Sequence, residues 1–116
     1  MQVKYGSTRT VLLTHRYAFK LPSFVEWRLF LLGLLANMQE RRFSATRHPK
    51  LCPVLFSVPG GFLVVMKRAN PMPFDDFCEI DIEAWADDGE MYIPVEAKWD
   101  SFGILDGRVV AVDYGN

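Results

Sequence analysis

Residues 23–43, SFVEWRLFLLGLLANMQERRF, constrain this chain more than any other stretch, because they read as one long helix between segments that read as strands. Ser23 followed three residues later by Glu26 has the form of a capping box. In that device the serine hydroxyl accepts the Glu26 amide while the carboxylate returns to the Ser23 amide. From Trp27 to Met38 apolar residues fill most of the helix circumference. Such a helix must be buried on more than one side or spend its surplus surface on a partner. Gly33 in its interior points to a close approach by another element. The greasiest run, residues 29–36, is too short to cross a bilayer and follows Glu26 and Arg28.

The flanks supply hairpins. TVLLTHRYAFKL predicts two strands around a turn at His15-Arg16, ended by Pro22. LCPVLFSV, PGG and FLVVMKRA predict a second hairpin, with Pro53 placing its first strand at an edge or starting it after the proline. FDDFCEIDIEAWADD fits either period, helical at Phe74, Phe77, Cys78 and Trp85 or alternating at Ile80, Ile82 and Ala84; a short helix is the reading carried forward. MYIPVEAK predicts an extended segment, and FGIL-DG-RVVAVDYG a last hairpin. Residues 1–116 therefore read as a single α+β domain, a twisted antiparallel sheet with one long helix packed across it.

Half of the residues are apolar and the net charge is −1, which excludes a disordered chain and gives no general basic surface for nucleic acid. The charge is unevenly spread, however. Residues 1–50 hold nine of the 13 Lys and Arg, and residues 51–116 hold twelve of the 14 Asp and Glu. Eight acids fall in residues 75–90, at Asp75, Asp76, Glu79, Asp81, Glu83, Asp87, Asp88 and Glu90, with no basic residue among them. This is a solvated face, a docking surface for a basic partner, or an acidic mimic of a phosphate backbone. Opposite charges on the two halves also allow pairing between copies of the chain.

The start of the chain has no basic-apolar-small signal pattern, so no leader is expected. Cys52 and Cys78 lack metal-ligand spacing, which points to a reducing cytoplasm, with an occasional disulfide as the alternative. Cys52 is expected in the core, Trp27, Trp85 and Trp99 as core anchors, and His15 and His48 as turn residues without a triad or zinc set.

The order hairpin, helix, hairpin, short helix, hairpin resembles the small lobe of a protein kinase. YAFKL looks like the strand of V-A-I-K, which implies that Lys20 is the lysine that contacts ATP phosphates. RHPKLCPVLFSVPGGFLVVMKRANP resembles the His-Pro loop, paired strands and hinge, with Met66 as gatekeeper and Lys67-Arg68-Ala69 facing the adenine. The helix glutamate would be Glu40, with Gln39 the alternative by helical phase. VVAVDYG resembles the strand leading to D-F-G, which makes Asp113 the magnesium ligand. PVEAKWDS puts Glu96 at the catalytic base and Ser101 at the asparagine that holds a second metal.

An active form would thus use ATP and magnesium, with Lys20, Glu96 and Asp113 as its catalytic set. Against it stand a single Gly6 where three glycines belong, a Met66-to-Glu96 interval too short for the usual two helices, and no activation segment expected after Asn116. The chain looks similar to small truncated kinase-like proteins of bacteriophages and mobile elements. That implies a non-catalytic, cofactor-free, pseudokinase-like cytoplasmic protein that binds and modulates a host protein, for instance as an inhibitor of bacterial defence. The alternative is a minimal ATP/Mg phosphotransferase.

Overall fold

The computed structural model describes residues 2–6, 8–87, 89 and 92–114. It is α+β, with an antiparallel sheet and one long helix packed against it. Five strands, β1 (Gln2–Tyr5), β2 (Arg9–Leu13), β3 (Tyr17–Pro22), β4 (Val54–Val58) and β5 (Leu63–Lys67), form a sheet of order β1-β2-β3-β5-β4. Every neighbouring pair is antiparallel, and Val11 and Val64 flank Lys20 in register. The long helix α1 (Trp27–Ser44) connects β3 to β4 and packs against β3.

β4 begins just after Pro53 and lies at the sheet edge, where a missing N–H costs no ladder bond. β1 was not foreseen: QVKY lacks an apolar run, and all four of its residues are exposed.

The single sheet expected from the sequence is two sheets. A second one comprises β6 (Asn70–Pro71), β7 (Phe102–Leu105) and β8 (Arg108–Ala111). Asp106 and Gly107, at φ 52° and 79°, make the tight turn between β7 and β8 that favours Asp-Gly. This hairpin is tied to the first sheet through residues 50–52: the Cys52 amide donates to Ala111 O and the Ala111 amide to Lys50 O. Leu51, Cys52, Met66, Ile93, Val110, Ala111 and Tyr114 form the shared core.

Residues 74–86 are helical, as two short pieces, α2 (Phe74–Glu79) and α3 (Ile82–Ala86). Asp81 caps α3 by accepting the Ala84 amide, so the strand-like alternation at Ile80 and Ile82 is the helix break itself. Residues 92–98 make isolated bridges at Tyr92 and Val95 instead of a strand, and Met91 lies outside the described residues. Cys52 and Cys78 are free thiols. Among the described residues no helix is long and apolar enough to cross a membrane.

The helix differs most from expectation. It starts at Trp27 with Glu26 as N-cap and no side-chain capping bond, so the Ser23–Glu26 box does not form. Ser23 is buried instead, and its Oγ accepts the Val25 amide at 3.4 Å. The buried residues of α1 are Gly33, Ala36, Asn37 and Glu40, which are small or polar and lie at positions i, i+3, i+4 and i+7. A Cβ on Gly33 would stand 2.3 Å from Thr8 O and 2.8 Å from the Pro22 Cα. The helix therefore lies hard against the β2 and β3 backbones, and Trp27, Leu31, Leu32, Leu35 and Met38 face away. Trp27, expected as a core anchor, is 72 % exposed.

Candidate functional site

Lys20 shares the inward face of β3 with buried Ala18 and Pro22, which aims it toward α1 and the C-terminal segment. Glu40 approaches it from the last full turn of the buried helix stripe and is 0 % exposed. Lys20 Nζ donates to Glu40 Oε1 at 3.0 Å and Oε2 at 2.9 Å, and also to Val112 O. An ammonium has three protons, and these three acceptors use all of them.

A second cation shares that carboxylate. Arg9 opens β2, in phase with Val11 and Leu13, and so points to the same face as Lys20, which stands opposite Val11. Its Nη1 donates to Glu40 Oε1 at 2.6 Å and to Asn37 Oδ1 at 3.1 Å. Its Nη2 donates to Glu40 Oε2 at 3.1 Å and to Asp113 Oδ1 at 2.5 Å. Arg9 thus bridges the helix carboxylate and the Asp-Tyr-Gly carboxylate.

The surrounding groups complete the network. Asn37 sits one turn before Glu40 and donates to Lys20 O and Gly61 O at 3.0 and 2.9 Å. The Tyr114 amide donates to Glu40 Oε2, while the buried Tyr114 hydroxyl donates to Cys52 O at 2.7 Å. Tyr114 therefore anchors the segment that carries Asp113. Two cations and two carboxylates balance, which is the condition under which charges tolerate burial.

The electrostatics follow from that sharing. Burial pushes the Glu40 carboxyl up, but Lys20 and Arg9 together overcome it and hold Glu40 below its ordinary range. Burial pulls the Lys20 ammonium down. Glu40 only partly opposes this, because the Arg9 charge also repels the ammonium. Burial works against the Arg9 guanidinium, yet Glu40 and Asp113 more than offset it and raise its pKa. Burial raises the Tyr114 hydroxyl well above its ordinary value.

A cleft of about 680 Å³ opens between the two sheets, with Val11, Ala18, Lys20, Met66, Trp99 and Asp113 among its walls. Met66 is buried there, with Lys67, Arg68 and Ala69 following it along the rim. Glu96 also lines the cleft, but it is half exposed and pairs with Lys98 at 3.0 Å. Ser101 is buried with no hydrogen-bond partner for its hydroxyl among the described atoms. Lys20, Glu40, Met66, Glu96 and Asp113 thus come to one region, and Lys20, Glu40 and Asp113 share one network. Gln39 is half-buried and outside it, so the helical phase favours Glu40.

The acids Asp75, Asp76, Glu79, Asp81, Glu83 and Asp87 are all exposed on and around α2 and α3, and none is a partner in this network. Asp88, Glu90 and Gly115 lie outside the described residues. Sequence reasoning missed Arg9 and Asn37. Both carried a periodic signal, Arg9 two residues before Val11 on a half-buried strand and Asn37 three before Glu40 on a helix.

Compared with protein families, with curated proteins and with solved structures, the chain finds no match in any of the three.

Proposed function

We propose that this chain is a non-catalytic binding protein, built like the small lobe of a protein kinase, that modulates a host protein. The kinship draws support from the β1-β2-β3-β5-β4 order with α1 between β3 and β4. The Lys20–Glu40 pair at 2.9 Å and the placement of Met66 and Asp113 on one cleft add to it.

The bridge made by Arg9 between Glu40 and Asp113 carries the non-catalytic reading. Phosphoryl transfer needs a lysine on the phosphates, metal ions on carboxylates and a base at the acceptor hydroxyl. Here Lys20 has no proton to spare for a phosphate. Asp113 Oδ1, one of the two oxygens a magnesium ion could take, already accepts from a guanidinium. A divalent cation added there without phosphates would set Arg9, Lys20 and the metal against two carboxylates. Ser101, the other candidate ligand, is a buried neutral hydroxyl, and Glu96 is held by Lys98. These residues do not fit MgATP. Arg9 supplies permanently the charge that a metal supplies in phosphoryl transfer, and it does so without reactivity.

Thermal denaturation in millimolar ATP, with and without magnesium, tests this. A ligand present at 100 times its Kd would add about 2.7 kcal/mol, roughly 10 °C for a chain this size. The expected result is no shift beyond about 1 °C under either condition. A magnesium-dependent rise that Lys20→Ala abolishes would restore the phosphotransferase alternative.

A further inference from the structure

The face of α1 turned away from the sheet is apolar. Trp27, Leu31, Leu32, Leu35 and Met38 are all exposed, and Phe24, Val25 and Phe62 extend the patch at the N-terminal end. Trp27 stacks on Phe30 at 5.5 Å, with Phe24 and Phe62 against the other sides of that ring. Taking roughly 150–250 Å² for a fully exposed aromatic side chain and somewhat less for an aliphatic one, these exposures amount to on the order of 800 Å². A typical monomer's largest apolar patch is about 300–600 Å², and one side of a standard interface is about 800 Å².

Charge selects the occupant. Arg28 flanks the stripe near its start, and Arg41 and Arg42 flank its end, all exposed; Glu26 is the acid beside them. The C-terminal end leads into a pocket of about 530 Å³ lined by Arg41, Arg47 and Arg108, and no acidic side chain is among its described walls. Two copies of this face set against each other would double the arginines, so a second α1 is disfavoured. The chain's own acidic helices are also a poor match. Trp27 to Met38 spans about 16 Å of helix, whereas the six residues of α2 span only about 9 Å.

We infer that the outer face of α1, from Trp27 to the Arg41–Arg47–Arg108 pocket, docks an acidic amphipathic helix of another protein. The partner lays an apolar stripe on Trp27, Leu31, Leu35 and Met38 and sets Asp or Glu against the arginines at either end. This rests on the reading of the chain as a binding protein and names the chemistry of its partner.

The test uses two synthetic peptides of about 18 residues, long enough to hold a helix. Both carry Leu and Phe at i, i+4, i+7 and i+11; one has Glu at the flanking positions and the other Lys. Titration into the ¹⁵N-labelled chain at low salt should shift the Trp27 indole and the outer-face amides of α1, leaving Lys20 and Tyr114 unmoved. The Glu peptide should bind about tenfold tighter than the Lys peptide, from several screened ion pairs acting together. Arg28→Glu/Arg41→Glu/Arg42→Glu should reverse that preference, and Leu31→Ser/Leu35→Ser should weaken both peptides. An unchanged spectrum away from the substitutions shows that each variant folds.

Equal affinity for the two peptides, shifts elsewhere on the chain, or no binding by either would overturn the inference. So would a salt-sensitive rise in mass on sedimentation that covers this face with a second copy. MgATP stabilisation would remove the parent reading without touching the peptide result. Peptide failure with an ATP-inert chain would remove this inference alone.

Discussion

Glu40→Gln keeps the size of the side chain and removes its charge. Arg9 and Lys20 would then lie buried with only the partly exposed Asp113 to balance them. Stranding one side of a buried ion pair costs about 3–5 kcal/mol. Unfolding entropy near 2.1 cal/mol/K per residue gives about 0.24 kcal/mol per degree over this chain, so the melting temperature should drop by roughly 12–20 °C. Domains of this length hold roughly 6–17 kcal/mol, so the variant should remain folded at room temperature. Urea unfolding followed by tryptophan fluorescence measures the difference, with an unchanged slope showing that the same surface is exposed. Acid provides a second arm. The folded-state pKa of Glu40 lies below its ordinary value of 4.5, so its contribution is complete above that value and disappears as pH falls through the folded pKa. The gap between wild type and Glu40→Gln should therefore close in acid. A cost under about 1 kcal/mol at neutral pH, the range of an exposed pair, would refute the buried network.

Gly33→Ala gains about 0.8–1 kcal/mol of helix propensity but drives a methyl into Thr8 O and the Pro22 backbone. The clash should win, with a net loss of about 1–3 kcal/mol in thermal denaturation; a higher melting temperature would contradict the tight α1 packing. Cys52 is fully buried and burial raises its thiol to about 11, whereas Cys78 is exposed. Ellman's reagent should therefore titrate one thiol in the native protein and two in denaturant, and equal native rates would contradict the core assignment.

Strand alternation and turn residues made much of the fold legible. Tyr17 to Leu21, the Pro53 edge and the Asp106-Gly107 turn each stand where local chemistry puts them. The helix was legible in extent but not in orientation. An apolar stripe ordinarily marks the inward face, and here the inward face is Gly33, Ala36, Asn37 and Glu40 because close backbone approach and buried charges needed small and polar groups there. That inversion is why Trp27 lies outside. It also explains the idle Ser23–Glu26 box, since Ser23 is buried and its amide donates to Thr8 O instead. Lys20, Glu40 and Asp113 were nominated by resemblance, and their convergence needed the chain folded. Arg9 was hidden because an arginine at a strand start reads as solvated until a partner 104 residues away is known.

The claim that Arg9 fills the cation position beside Asp113 is tested most directly with a paramagnetic ion. Manganese, alone and with ATP, would be titrated into the ¹⁵N-labelled chain, since any ion held by Asp113 must broaden the amides of Val112, Tyr114 and Lys20. The account predicts that these signals keep their intensity at stoichiometric manganese. Loss of these three ahead of the amides farthest from Asp113, spared in Asp113→Asn, would mean that a metal displaces the guanidinium and that the site is open for chemistry.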